Sequence, residues 1–143
     1  MLKISRSSYE ALRRHAEETY PHECCGALIG EISGDVRMVR DAVRCNNDKP
    51  AADWYSIDPR ELVRIQREAA QSGADIIGFY HSHPDDRAQW SASDLAEAHW
   101  MGCSYVITAV EKGRAAETNS FALTGSDEDD KHFENEPVEI LLH

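Results

Sequence analysis

The chain has 143 residues, of which 41% are hydrophobic and 29% charged, a composition typical of one soluble globular domain rather than of a disordered segment. Its formal net charge of −11 argues against nucleic acid as the main partner, because phosphate binding requires a basic face. Every apolar run is shorter than the roughly 18 residues that a membrane span needs. The first residues lack the apolar core of a signal peptide, so we expect a cytoplasmic protein that does not enter membranes.

The first half of the chain predicts one helix and three strands, with the helix over residues 7–20 and the strands over residues 2–4, 24–29 and 36–43. Ser7 and Glu10 have the spacing of a capping box at the start of the helix, and Pro21 ends it. Residues 24–29 are continuously apolar, as in a buried strand. The turn residues around Gly34 indicate that this strand and the next form a hairpin.

The second half predicts two further helices among short strands. We expect strands over residues 54–57, 75–80, 105–110, 119–123 and 138–142, helices over residues 59–72 and 91–102, and a loop over residues 81–90. Asp58 is the expected N-cap of the first of these helices, with Pro59 at its first position and Glu61 completing a capping box. Hairpins with interspersed helices and no linker predict a single domain over residues 1–143, an α/β or α+β sheet flanked by helices.

An acidic segment over residues 126–137 contains six carboxylates against the single Lys131, a net charge of −5. We interpret it as a solvated or disordered loop. A contact surface for a partner with a basic patch is the alternative.

The four cysteines are Cys24, Cys25, Cys45 and Cys103, and none forms a Cys-x-x-Cys pair that would indicate a zinc ribbon. Without a signal peptide, reduced thiols are expected. A disulfide is the alternative, and the sequence does not decide its pairing. Cys24 and Cys25 lie in an apolar run, so we expect small core residues rather than nucleophiles.

The pattern that indicates chemistry is His81-Ser82-His83-Pro84, followed after six residues by Ser91-Ala92-Ser93-Asp94. Residues i and i+2 at a strand end project to the same side, so His81 and His83 can direct their imidazoles at one point. The intervening loop is long enough to bring the carboxylate of Asp94 alongside. Two imidazoles and a carboxylate are a common catalytic zinc set, with bonds of about 2.0–2.2 Å and a fourth position open for water.

A zinc peptidase also needs a proton carrier and an oxyanion donor. Glu23 is the candidate general base and acid, because a carboxylate just before an apolar strand has no packing purpose. Ser91 is the candidate oxyanion donor. Other interpretations remain open: a lone His-x-His is common by chance, Glu23 can be a surface carboxylate, and Ser91 with Asp94 can be a helix cap. A cap and a catalytic role are compatible for Ser91.

In its motif residues the chain resembles the JAMM, or MPN-plus, metalloprotease family, whose pattern is an upstream Glu, His-[Ser/Thr]-His-Pro, six residues and Ser-x-x-Asp. The matching residues are Glu23, His81-Ser82-His83-Pro84, Ser91 and Asp94. The segment from Pro21 to Gly30 resembles the prokaryotic branch. The resemblance implies one zinc ion on His81, His83 and Asp94, and a cytidine-deaminase-like α/β fold with a mixed sheet flanked by helices.

The resemblance also implies a substrate. Short prokaryotic members resemble enzymes that process ubiquitin-like sulfur-carrier proteins, releasing whatever follows a terminal Gly-Gly. A zinc peptidase or isopeptidase of this kind is therefore the leading hypothesis. The alternatives are a non-catalytic MPN-type interaction module that keeps a structural zinc, and a small-amide hydrolase on the same scaffold.

Overall fold

The computed structural model describes residues 1–47 and 56–142. Its strands are β1 (Leu2–Ser5), β2 (Cys25–Ser33), β3 (Val36–Cys45), β4 (Asp75–Pro84), β5 (Ser104–Glu111), β6 (Arg114–Thr124), β7 (His132–Glu136) and β8 (Val138–Leu141). Its helices are α1 (Arg6–Thr19), α2 (Pro59–Gln71) and α3 (Ala92–Glu97).

All eight strands form one mixed sheet in the order β7-β6-β5-β4-β2-β3-β1-β8. Pairs β4–β5, β1–β3 and β1–β8 are parallel, and the other neighbours are antiparallel. Strands β7 and β8 lie at opposite edges of the sheet, yet only Pro137 separates them in the chain. The sheet therefore curls until its two edges approach each other.

The two long helices cover opposite faces of this sheet. Leu12 and Ala16 of α1 pack into a core that contains Ile77 and Tyr80 of β4. Ile65 of α2 packs into the other core. Successive strand residues point to opposite faces, so a central strand such as β4 feeds both cores. A mixed sheet between helices confirms the predicted fold class.

Most predicted elements are present, with corrections at their ends. The expected cap at Ser7 is wrong, because α1 begins one residue earlier and Ser5 accepts the amide of Ser8 at 3.2 Å. The cap at Asp58 is confirmed, but the box with Glu61 is not, because the Glu61 carboxylate accepts the amide of Asn46 at 3.2 Å instead.

Three larger corrections concern the second half of the chain. The predicted loop after residue 80 is wrong in its first part, because β4 continues through Pro84. The helix expected over residues 91–102 ends at Glu97. Of the strand expected over residues 54–57, Ser56 and Ile57 are not in a strand, and the other two residues lie outside the described part of the chain.

The acidic segment is not a disordered loop, because it forms a turn followed by β7.

The thiols behave as expected: all four are buried, and Cys24, Cys45 and Cys103 are free. Within residues 1–47 and 56–142, no helix has the length and apolar character needed to cross a membrane.

Candidate metal centre

The two histidines of the motif lie near the end of β4, in the middle of the sheet. The parallel pairing of β4 with β5 continues past them, from Gly78 opposite Ser104 to Pro84 opposite Val110. This pairing is why the polar motif is strand rather than loop. His81 and His83 therefore share one face of the strand, as their spacing predicts, and they are 2% and 8% exposed.

Three side chains converge on one point beside that face. His81 Nε2 lies 3.2 Å from His83 Nε2 and 3.2 Å from Asp94 Oδ1. His83 Nε2 lies 3.1 Å from Asp94 Oδ2. Ligands of a tetrahedral ion with bonds of 2.0–2.2 Å are roughly 3.4 Å apart. The donor set and its spacing therefore fit a zinc ion, and the structure brings together the three residues that the sequence predicts as ligands.

Asp94 is held in place by the first turn of α3. Ser91 Oγ accepts the amide of Asp94 at 3.1 Å, and the amide of Ser91 donates to Asp94 Oδ2 at 2.9 Å. This reciprocal pair is a capping box. The helix-cap interpretation of Ser91 and Asp94 is therefore correct, and the cap itself directs the carboxylate at the histidines. Ser91 is exposed at the edge of the centre.

The electrostatics of the three groups depend on their mutual contacts. Burial lowers the pKa of His81, and its contact with the Asp94 carboxylate offsets only part of that effect. Burial also acts on His83, but the Asp94 carboxylate and the Arg87 carbonyl outweigh it and raise the pKa. Burial of Asp94 is outweighed by its contacts with the imidazoles of His81 and His83, which hold its pKa well below the usual range. Asp94 is therefore an ionised carboxylate, the form that binds a cation.

The tautomer of His83 is set by a contact outside the donor set. His83 Nδ1 lies 2.8 Å from the carbonyl oxygen of Arg87, which can only accept. Nδ1 therefore carries the proton of the neutral ring, and Nε2 has its lone pair available for a metal. Sequence reasoning did not identify Arg87, because the group that acts is a backbone carbonyl and leaves no side-chain signal.

Glu23 lies two residues before β2 and is 3% exposed, so the interpretation as a surface carboxylate is wrong. Its carboxylate and the two histidine rings each offer a donor atom within 4.8 Å of the others. The pairing of Cys25 with His81 in β2 and β4 places Glu23 beside the histidine motif. The structure thus brings Glu23 to the centre that the sequence predicted for it.

Two polar residues that the sequence interpretation missed fix the backbone around Glu23. Ser82 Oγ accepts the amide of Cys24 at 2.9 Å, and Asn47 Nδ2 donates to the carbonyl of Glu23 at 3.1 Å. Ser82 is fully buried. The sequence did contain a signal for Ser82, namely its position between the two histidines. A hydroxyl inside a buried strand needs a polar partner, so a hydrogen bond from Ser82 could have been predicted.

A cavity of about 190 Å³ lies on the face of the sheet to which Phe79 and, two residues later, His81 point. Phe79, two residues before His81, forms part of its wall together with Tyr105 and Trp100. Phe79 meets the ring of Trp100 edge-on at 5.1 Å between centroids. Residues that follow α3, His99 and Trp100, thus line a recess on the face of the sheet that carries the candidate metal ligands.

A curled mixed sheet between helices, with two histidines and a carboxylate gathered at one strand end, defines a JAB/MPN-type domain. The chain belongs to the family described as prokaryotic homologs of the JAB domain, whose model matches residues 5–124. This match confirms the resemblance found in the motif residues.

Two relatives are similar over most of this chain. A desampylase from Haloferax volcanii is 35% identical over 113 residues, which cover 74% of this chain and 78% of the relative. A protein of Thermus thermophilus named "Probable TtuB-protein conjugate cleaving protease" is 29% identical over 116 residues, which cover 80% of this chain and 74% of the relative.

Solved structures share the fold. A protein from Desulfitobacterium hafniense superposes with a TM-score of 0.84 at 28% identity, covering 100% of this chain and 94% of that one. A JAB1/MPN domain protein from Archaeoglobus fulgidus superposes with a TM-score of 0.60 at 18% identity, covering 98% and 97% of the two chains. The second likeness concerns the fold alone.

Proposed function

We propose that this chain is a zinc-dependent isopeptidase that hydrolyses the peptide or isopeptide bond after the C-terminal Gly-Gly of a ubiquitin-like sulfur-carrier protein. The observation that carries the proposal is the convergence of His81, His83 and Asp94 at 3.1–3.2 Å with buried Glu23 beside them. The two relatives, a desampylase and a TtuB-conjugate cleaving protease, support ubiquitin-like conjugates as the substrate class. The Gly-Gly site and the sulfur-carrier class come from the family resemblance.

In this proposal His81, His83 and Asp94 hold the zinc ion, and two other residues perform proton transfer and charge stabilisation. Zinc, when bound, lowers the pKa of a coordinated water towards about 7. Glu23 takes the proton of the attacking water and delivers it to the leaving amine, which one carboxylate beside the reacting atoms can do in sequence. The Ser91 hydroxyl, which accepts the Asp94 amide through a lone pair, keeps its own proton to donate to the developing oxyanion.

The test combines metal analysis with cleavage of a defined substrate. The purified chain is assayed for zinc content and for cleavage of a ubiquitin-like sulfur-carrier protein that has a C-terminal extension after Gly-Gly. We expect about one zinc per chain, cleavage after the second glycine, loss of cleavage with a chelator and recovery with added zinc. Substitution of His83 by Ala should abolish both metal binding and cleavage.

Different failures point to different alternatives. A chain without stoichiometric metal contradicts the enzyme proposal altogether. Stoichiometric zinc with no cleavage of any conjugate favours the interaction module. Hydrolysis of small amides without cleavage of the protein substrate favours the small-amide hydrolase.

A further inference from the structure

Helix α3 carries Asp94 but is a poorly anchored element by itself. It has six residues, and none of these described residues is buried. Helices shorter than about 12 residues are marginal in water unless other contacts stabilise them. Within α3 only Leu95 packs partly against the core, and the C-cap residue Ala98, 1% exposed, belongs to that core. The capping box of Ser91 and Asp94 secures the N-terminal end, so the position of the C-terminal end depends on contacts with the rest of the chain.

Besides the burial of Ala98, Lys131 of the acidic segment supplies polar contacts to this end of the helix. Its Nζ donates to the carbonyl of Ala96 at 3.2 Å and to the carbonyl of Ala98 at 2.8 Å. The last carbonyls of a helix have no partner within the helix and form the negative end of its dipole. The sequence of α3 contains no basic residue. The cation at its C-terminus therefore comes from Lys131, whose side chain is only 7% exposed.

A neighbouring carboxylate links Lys131 to the chain that follows α3. Glu128 Oε2 lies 2.7 Å from Lys131 Nζ, and Glu128 Oε1 lies 2.9 Å from His99 Nδ1. Both partners lower the pKa of Glu128, with the hydrogen bond from Lys131 as the larger cause. The segment after α3 is thus attached to the acidic segment by two separate contacts.

The acidic turn over residues 126–130 is itself ordered by its carboxylates. Asp130 accepts the amides of Ser126 and Asp127, both at 2.8 Å, and the hydroxyl of Ser126 at 2.7 Å. Gly125 has a φ of +125°, and a Cβ there would lie 2.8 Å from the Cα of Lys131. The turn thus packs the backbone of Lys131 directly against Gly125. A side chain at residue 125 would clash with that backbone.

We propose that Lys131 is a positioning residue for the candidate metal centre. By binding the C-terminal carbonyls of α3, it holds Asp94 against His81 and His83, and the acidic turn holds Lys131. The inference rests on the proposed function, because it takes Asp94 as a metal ligand. It assigns the acidic segment a task within this chain.

The experiment compares Lys131→Met with Lys131→Arg, and uses Lys3→Met as the matched control. Lys3 forms only a 4.0 Å pair with Glu139, and both side chains are substantially exposed. The first readout is hydrogen exchange of the metal-free protein at the amides of Leu95 and Ala98, which donate to Ser91 and Leu95 carbonyls at 3.1 and 3.2 Å. The second is zinc affinity by chelator competition. The third is the absorption spectrum of the cobalt-substituted protein.

For Lys131→Met we expect about tenfold faster exchange at these two amides and about tenfold weaker zinc binding, since hydrogen bonds from a charged donor are lost. The cobalt spectrum should change, while exchange in β4 stays as in the wild type. In Lys131→Arg, amide exchange, zinc affinity and the cobalt spectrum should all stay close to those of the wild type. Lys3→Met should change none of these three quantities. Glu128→Gln should act in the same direction more weakly, and it serves if Lys131→Met does not fold.

Wild-type exchange and wild-type zinc affinity in Lys131→Met would overturn the inference. Faster exchange at every amide, including those of β4, would also overturn it, because it would show a general effect on stability. If the wild-type chain binds no zinc, the proposed function fails, and the exchange comparison still decides whether Lys131 holds α3.

Discussion

Two carboxylates, Asp94 and Glu23, lie beside His83, and their different surroundings suit them to different roles. Asp94 lies 3.1 Å from His83 Nε2, and its Oδ2 also accepts the Ser91 amide. Its other oxygen, Oδ1, lies 3.2 Å from His81 Nε2, so each oxygen of Asp94 faces one of the two imidazoles. Glu23 approaches the imidazoles from the segment that enters β2, and is buried at 3% exposure. This arrangement suits one carboxylate for holding a cation and the other for carrying a proton.

Glu23→Gln tests that separation. Glutamine has the same shape but cannot take up and release the proton, so we expect kcat/KM to fall about 10²- to 10⁴-fold. Zinc content should stay at about one ion per chain, because the proposed ligands are untouched. The measurement is zinc analysis alongside cleavage of the extended substrate. Unchanged cleavage would show that Glu23 is not the base, and loss of zinc would show that it is a ligand.

The candidate site could be predicted from the sequence where side chains act and not where the backbone acts. The spacing of His81 and His83 fixes their common face in any extended segment. Ser91 and Asp94 have the spacing of a capping box, which is a local property of the chain. The contact of His83 with the Arg87 carbonyl depends on the path of the loop after β4. Every residue type has such a carbonyl, so the sequence could not predict this contact.

At the scale of the elements, the cap of α1 gives a direct test of local structure. Ser5 Oγ accepts the Ser8 amide at 3.2 Å, whereas Ser7 is exposed on the first turn. Replacing an N-cap serine by alanine costs about 1 kcal/mol. We expect Ser5→Ala to lower the free energy of unfolding by about that amount, and Ser7→Ala to change it by less than about 0.5 kcal/mol. Urea unfolding measures both, and a larger loss for Ser7→Ala would place the cap there.

The docking of α1 on the sheet predicts a dependence of stability on pH. His15 Nδ1 lies 2.7 Å from the hydroxyl of Tyr80, and the two rings meet edge-on. Burial, with the charge of Arg44 as a second cause, lowers the pKa of His15 from 6.5 to about 4. Between these values the unfolded chain binds more protons than the folded one. The folded state therefore loses stability as the pH falls from 6.5 to 4.

The variant His15→Asn isolates this contribution, because asparagine keeps a polar group near Tyr80 and does not titrate. We expect the stability advantage of the wild type over His15→Asn to shrink by about 2 kcal/mol between pH 7 and pH 4, allowing for solvent screening. Urea unfolding at a series of pH values measures it. Parallel pH profiles for the two proteins would contradict the buried, neutral histidine.

The ends of the helices and strands were harder to predict than their types. In each case the end is set by contacts with residues that are distant in the sequence. The polar motif after Tyr80 has the composition of a loop, yet pairing with β5 extends β4 through Pro84. The acidic residues before β7 have the composition of a disordered segment. In the structure Asp130 accepts the chain's own amides and Glu128 pairs with Lys131. The sequence shows the charges but not their partners.

At the scale of the whole molecule, a buried ion pair joins two strands that are distant in the sheet, β3 and β7. Glu136, at the end of β7, has a side chain that is 2% exposed, and its Oε2 lies 2.7 Å from Nη1 of Arg37 in β3. Its Oε1 accepts hydrogen bonds from the hydroxyls of Ser104 at 2.6 Å and Ser120 at 2.8 Å. One carboxylate therefore joins β3, β5 and β6 at the place where the two edges of the sheet approach each other.

Arg37→Met should be strongly destabilising, because the carboxylate of Glu136 then stays buried beside two hydroxyls with only the N-terminal ammonium, 3.6 Å away, as a cation. Removing one partner of a buried pair costs about 3–5 kcal/mol, and we expect a loss near the lower value because Arg37 keeps 17% exposure. Lys3→Met, which breaks an exposed pair with Glu139, should cost less than about 0.5 kcal/mol. Urea unfolding of the two variants measures the difference. Equal, small losses would show that the ion pair adds little to packing, whereas a large loss confined to Arg37→Met would show that the ion pair stabilises the curled sheet.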